Sequence, residues 1–279
     1  MRIAVTGGSG KLGRTVVRTL REEDHDVVNL DQDGEKGGYV RVDLSDFGQV
    51  LDALAGIDDQ PRAEAVVHLA AIPAPGIASD IATFQNNMNA TFNVFWAAHR
   101  LGIDRIVYAS SETVLGLPFD VPPPYLPIDE EYAARPESVY SLVKHLEEQL
   151  AIELVRWDPK LSITALRFSN VMNPEDYAEF PSFDADARAR KWNAWGYIDA
   201  RDGAQAVQRA LEVAGPGFDR FIIAAADTVM TRPNAELVAE VFPDVPIVRD
   251  LGENDTLLSI DKARKVLGFE PRHTWRDHA

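Results

Sequence analysis

The sequence predicts an α/β fold: a parallel, doubly wound sheet with helices on both faces and a small carboxyl-terminal lobe. Three observations predict it. Short β-branched apolar runs alternate with helical patterns up to about residue 170, and such alternation builds a parallel sheet. A glycine cluster, "TGGSGKLG" (6–13), joins the first apolar run to the first helical pattern. Beyond residue 170 the chain turns polar, aromatic and irregular.

The elements follow in order. "RIAVT" (2–6) reads as a buried strand, and "KLGRTVVRTLREED" (11–24) as a helix with Leu12, Val16, Val17 and Leu20 on one face. "HDVVNLD" (25–31) is a second strand ending on Asp31; "AEAVVHLAA" (63–71) and "DRIVYASS" (104–111) are two more. Residues 81–101 and 137–157 read as long helices, and "LSITALRFSNV" (161–171) as a further strand. A helix over 203–214, a strand over 219–225 and helices near 233–242 and 259–267 complete the chain. "DVPPPYLP" (120–127) is a proline-rich loop between strong elements rather than a linker. Residues 1–172, with 198–226 returning to them, form one domain; 173–197 and 227–279 form the lobe, and no internal repeat interrupts this order.

Composition bounds the function. Of 279 residues, 46% are hydrophobic, enough for a sizeable core. The net charge is −16, from 44 acids and 28 bases, and only seven of those bases are Lys. Phosphate affinity rests on Lys and Arg, so neither nucleic acid nor an anionic membrane is an expected partner. The acidic, lysine-poor surface suits either high salt or an ordinary acidic protein. No Cys occurs, which excludes disulfides, a thiolate nucleophile and a cysteine zinc site. The chain fits a reducing cytoplasm; the first strand starts at residue 2, which leaves no room for a signal peptide, and no apolar run reaches transmembrane length. The six His show no metal-ligand spacing, so no metal is expected; His68 reads as a buried, hydrogen-bonded strand residue.

The glycine loop carries the first chemistry. Gly7, Gly10 and Gly13 allow a tight turn and let a pyrophosphate approach the backbone, while the helix that begins at Lys11 offers free N–H groups. Asp31, about twenty residues on, is placed to accept from ribose hydroxyls and to repel a 2′-phosphate. No base follows it until Lys36, so NAD is expected over NADP. Asp43, in "VDLSD" (42–46), either caps the helix that follows or lies near the adenine.

The second constellation is "YSLVK" (140–144) with "YASSETVLG" (108–116). Lys144 lies one helical turn after Tyr140 on the same face. Its charge is expected to draw the phenol pKa from roughly 10 toward the working pH. Tyr140 then exchanges a proton with a substrate hydroxyl while a hydride passes to or from nicotinamide, and Ser111 positions that hydroxyl.

Together these residues resemble the extended short-chain dehydrogenase/reductase superfamily, in its NAD-dependent epimerase/dehydratase branch. "TGGSGKLG", Asp31, "DL" (43–44), "HLAA" (68–71), "NNMNAT" (86–91), "SSETVLG", "YSLVK" and "LRFSNV" (166–171) occur in that family's order and spacing, covering residues 1–171 well and the remainder loosely. The resemblance implies a Rossmann-type sheet and further roles. Lys11, Leu12, Leu44, Leu69, Ala70, Ala71 and Ala109 would run along the cofactor. Asn86 would contact it or order the start of its helix, and Phe168 would meet the nicotinamide amide. Pro73, Glu112 and Asn170 would face substrate. Asp199 and Asp202 of "YIDARD" (197–202) read as structural.

Departures from the family narrow the substrate. Leu115 stands where many nucleotide-sugar enzymes of the family have Tyr. Only 135 residues follow Lys144, and 173–186 offer no base for a diphosphate. The arrangement looks more like the family's dehydrogenases of free sugars and uronates. In uronate dehydrogenases an Arg shortly before a Trp grips a carboxylate; Arg190, five before Trp195, either does this or is a surface residue.

The resemblance therefore implies oxidation of the C1 hydroxyl of a free aldose or uronate to a lactone. Alternatives are a nucleotide-sugar 4-epimerase or dehydratase and, more remotely, a non-catalytic dinucleotide sensor. It also implies a homodimer through a four-helix bundle of 81–101 and 137–157. Leu142, Leu146, Leu150 and Leu154 would face either the partner or the core.

Overall fold

The computed structural model describes residues 1–34, 38–57, 60–213 and 215–278. Lys36 of the cofactor argument lies outside them. Seven parallel strands form the main sheet: β1 (Arg2–Thr6), β2 (Asp26–Asp31), β3 (Val40–Arg41), β4 (Ala65–His68), β5 (Arg105–Ser111), β6 (Ser162–Phe168) and β9 (Gly217–Ile223), in the order β3-β2-β1-β4-β5-β6-β9. The order reverses direction between β1 and β4. In a doubly wound sheet the crossovers diverge there and leave a crevice at the carboxyl edge.

The strands are apolar on both faces because helices cover both. Ile3 and Val5 of β1 join one buried cluster with Val16, Val17 and Leu20 of α1 (Lys11–Glu22) and with Ala204 and Val207 of α5 (Ala200–Val213). Ala4, between them, joins a second cluster with α2 (Phe47–Ala55), α3 (Asp80–Leu101) and α4 (Val139–Trp157). That alternation is the strand period of two. The first cluster continues past the sheet into Phe180, Trp195, Tyr197 and Trp275. The carboxyl-terminal segments therefore share a core with the sheet.

Several elements differ from the sequence pattern. The run 161–171 breaks at Phe168: Ser169 donates its N–H to Ile223, and the chain leaves the sheet. Val171–Met172 forms β7, which pairs with β8 (Ile198–Asp199). The run 63–71 is a strand only to His68, after which Leu69 N–H bonds to Thr6 and the chain turns toward the crevice. The helix after Asp43 is capped by Asp46, whose carboxylate accepts from Gln49 N–H at 3.1 Å. Two short helices, α6 (Asn234–Val241) and α7 (Asp261–Leu267), follow β9. The four leucines of α4 do not share one environment, for Leu142 is exposed and Leu154 buried. No helix among the described residues is long and apolar enough to cross a membrane.

Candidate active site

A cleft of about 670 Å³ lies along the carboxyl ends of β1, β2, β4, β5 and β6. At its floor the glycine loop is fixed by close approach. Gly7 has φ +71°, and a Cβ there would stand 2.6 Å from Ala70 N; one on Gly13 would stand 2.1 Å from the Gly7 carbonyl. Neither position admits a side chain. Gly10 caps α1 without a side-chain acceptor, so the first-turn N–H groups face the cleft that Gly7, Gly10 and Gly13 line. Asp31 lines its far end, accepting from Ser9 N–H at 2.9 Å and Gln32 N–H at 2.8 Å. The sheet register puts Arg41 opposite Asp31. Leu12, Leu44, Leu69, Ala70, Ala71, Asn86, Ala109 and Phe168 also line the cleft. A backbone cradle for an anion at one end and an apolar trough beyond it fit a dinucleotide.

Of the expected cofactor residues, Asp43 stands apart, while Asn86 and Lys11 line the cleft. Asp43 faces a smaller adjoining recess with Gln32, Arg41 and Gln49. Its carboxylate is held by Ser45 N–H and Oγ at 2.9 and 2.7 Å, bonds that depress its pKa. It does not cap α2. Asn86 does line the cleft but does not order the helix start, which Ser79 caps. Its neighbour Asn87, which the sequence did not single out, clamps Ile72 through both backbone groups at 2.8 and 3.0 Å. Lys11 lines the cleft with its ammonium 2.6 Å from Asp176.

At the cleft's centre β5 delivers Ser111 and α4 delivers Tyr140 and Lys144. The Ser111 hydroxyl accepts from Thr113 N–H and Oγ1 at 3.2 and 3.0 Å, which aims it. Lys144 is buried and donates to Ala109 O at 2.8 Å and to Glu147 Oε2 at 2.9 Å, with its Nζ 6.0 Å from the Tyr140 ring centroid. The Lys144 charge lowers the Tyr140 pKa as expected, but the net shift is upward. Burial drives it above 10.0, and the Lys144 charge and the Ser111 hydroxyl only draw it part of the way back.

The end of the cleft expected to face substrate is lined by Pro73, Glu112, Asn170 and Trp192. Glu112 is buried; Oε1 accepts from Asn193 Nδ2 at 3.2 Å and Oε2 has no hydrogen-bond partner. Burial pushes its pKa up to about 7. Arg190 is not brought to the cleft. Its guanidinium stacks 5.0 Å from the Phe183 ring centroid and 4.9 Å from that of Trp192, and donates to Gly196 O at 3.1 Å. Trp195 is fully buried, with Nε1–H bonded to Ala187 O at 2.8 Å. Arg190, expected either to grip a carboxylate or to lie on the surface, is instead buried against two rings with one bond to a carbonyl, and it does not line the cleft. Trp192, in the "WNAWGY" cluster, is the aromatic that meets the cleft. Asp199 pairs with Arg201 and Tyr177, and Asp202 with His273, as structural residues do.

The family described as NAD dependent epimerase/dehydratase matches residues 3–224. The L-arabinose 1-dehydrogenase (NAD(P)(+)) of Haloferax volcanii is 27% identical over 282 residues, 97% of this chain and 96% of that protein. The UDP-glucose 4-epimerase of Bacillus subtilis is 28% identical over 187 residues, 61% of this chain and 52% of that protein. A crystal structure of UDP-galactose 4-epimerase superposes with a TM-score of 0.70 and 28% identity, covering 98% of this chain and 94% of that one.

Proposed function

Since the chain belongs to the NAD dependent epimerase/dehydratase family, we propose that it is an NAD-dependent dehydrogenase oxidising the C1 hydroxyl of a neutral free aldose to a lactone. One observation carries the choice of substrate: among the described residues, the substrate end offers a buried carboxyl, Glu112, and each cation lining the cleft is already paired. Among the described residues, the cationic side chains lining the cleft are Lys11, paired with Asp176, and Lys144, paired with Glu147. Among the described residues neither a uronate carboxylate nor a nucleotide diphosphate finds an unpaired cation there, whereas a sugar hydroxyl finds Glu112 and Asn170. The whole-length similarity to an L-arabinose 1-dehydrogenase supports the same reading.

NAD, when bound, supplies the hydride acceptor. The chain's own residues do the rest. Ser111 holds the C1 hydroxyl. Tyr140 takes its proton as the C1–H bond is lost, and the oxygen becomes the lactone carbonyl. Lys144 stabilises the tyrosinate that must form first. Asp31, the glycine loop and the α1 amino end hold the dinucleotide, with Leu12, Leu69 and Phe168 walling it from water. The lobe of 173–197 and 227–279 closes the sugar side, and two chains associate through α3 and α4.

A 4-epimerase is the second reading, favoured by the 28% identity to a UDP-galactose 4-epimerase along the whole chain. One experiment separates them. The purified protein is given NAD or NADP, at low and multimolar salt, with aldoses, uronates and nucleotide sugars. Reduced nicotinamide is followed by absorbance, and nucleotide sugars by chromatography. NADH formed with a neutral aldose is the expected result. Interconversion of a nucleotide sugar without net NADH overturns it.

A further inference from the structure

Beside the catalytic pair lies a buried acid that the mechanism above does not use. Glu147, three residues after Lys144 on α4, is wholly buried. Its Oε2 accepts from Lys144 Nζ at 2.9 Å and its Oε1 from the Thr91 hydroxyl of α3 at 2.8 Å. Having donated its proton there, Thr91 accepts from His68 Nε2–H at 3.0 Å. His68 Nδ1 then accepts from the Thr6 hydroxyl at 2.7 Å, and Thr6 Oγ1 takes the N–H of Ala70 at 3.4 Å. Both ring nitrogens of His68 are thus satisfied, as expected of a buried strand histidine, and burial lowers its pKa to about 3, leaving it neutral. Every hydrogen in this chain points toward Glu147. Burial raises the Glu147 pKa, and the Lys144 charge and the donors that end on this carboxylate draw it part of the way back toward the ionised form.

The surrounding charges leave Glu147 and Lys144 as a pair of their own. On the same helix Glu148 is matched by Arg167 of β6 at 2.7 Å and faced by Arg220 of β9 at 3.9 Å. Tyr108 of β5, His68 of β4 and Thr91 of α3 present neutral groups to this region, and Glu112 and Tyr140 lie on the cleft side. An ammonium has three donors. Two are spent on Ala109 O and Glu147, which leaves one for the cleft.

We propose that Glu147 is a positioning residue that sets the working pH: it anchors the Lys144 ammonium and cancels much of its field at Tyr140, so that turnover is best on the alkaline side. The proposal rests on the reading of Tyr140 as the base. Its sign is fixed by charge. A carboxylate here raises the proton affinity of both Lys144 and Tyr140, so its removal lowers both.

Two measurements on the full chain test this. The first is the pH profile of kcat/KM for wild type, Glu147→Gln and Glu147→Asp. The second needs no substrate: tyrosinate ultraviolet difference absorbance with NAD bound, the Tyr140→Phe signal being subtracted. For Glu147→Gln both the profile and the Tyr140 midpoint are expected to move to lower pH, by about one unit. Glu147→Asp, with its charge drawn back by one methylene, moves the same way by less. If Glu147→Gln does not fold, the aspartate variant reads the sign alone. A folded variant with an unmoved Tyr140 midpoint, or activity lost equally at every pH, overturns the proposal. Absence of any sugar turnover would count against the dehydrogenase reading and leave the tyrosine titration to decide this one.

Discussion

At Tyr140 two opposing effects meet, burial and the Lys144 charge, and burial wins. Replacing Tyr140 by Phe removes the base without removing bulk, so kcat should fall by about 10²–10⁴ while NAD affinity stays within a few-fold. Steady-state kinetics with a separate NAD titration checks both halves. Glu112 makes a different demand. Its folded value of about 7 stands above the ordinary 4.5, so the folded state holds this proton more tightly than the unfolded one. Its contribution is most favourable below the unfolded value and is lost as pH rises toward 7, then stays flat. Over that window it removes up to about 3 kcal/mol. Glu112→Gln should therefore melt above wild type at pH 8 and close to it at pH 4.5 in thermal scans. The same variant should narrow the preference for neutral aldoses over uronates, seen in the ratio of their kcat/KM values, because the buried charge that repels a carboxylate is gone.

At the scale of elements, the glycine loop shows what a strand–turn–helix junction needs. A Cβ on Gly13 would fall 2.1 Å from the Gly7 carbonyl, too close for any rotamer to relieve. Gly13→Ala must push α1 away from β1, at about 1–3 kcal/mol, and should weaken NAD binding at least tenfold, read by calorimetry alongside the melting temperature. This junction was legible in the sequence because its cause is local: apolar strand, glycines, amphipathic helix. Ser111, Tyr140 and Lys144 were legible for a similar reason, since the strand end and the one-turn spacing place them. Arg190 was misread because its neighbours Phe183 and Trp192 are brought to it by the irregular segment's own packing, which has no period. Glu147 stood three residues after Lys144, yet only the packing of α3 and β4 reveals its partner Thr91 and, behind Thr91, His68. The separate pairing of β7 with β8 was hidden because only Ser169 and Asn170 divide Phe168 from Val171–Met172, and the partner strand Ile198–Asp199 lies far along the chain.

On the whole molecule, charge and apolar surface pull against each other. Each chain carries −16, so a dimer brings like charge together and is opposed at low ionic strength. Yet α3 and α4, which pack together, expose Ile81, Phe84, Phe92, Leu142 and Trp157, and Phe92 stacks on Trp96 at 6.2 Å. Apolar burial does not weaken with salt, whereas repulsion is screened within a Debye length of about 10 Å at 0.1 M and 3 Å at 1 M. Association through this surface should therefore strengthen as salt rises, the reverse of an interface held by ion pairs. Sedimentation velocity at low and molar KCl reads this directly. Phe92→Glu, which adds a charge to this exposed apolar surface, should give monomers at both salts while leaving the melting curve cooperative. A wild-type dimer that dissociates with added salt would place the interface on charged surface elsewhere. Repulsion within one chain follows the same law, so the melting temperature should climb over the same salt range in the monomeric variant, where association can no longer contribute.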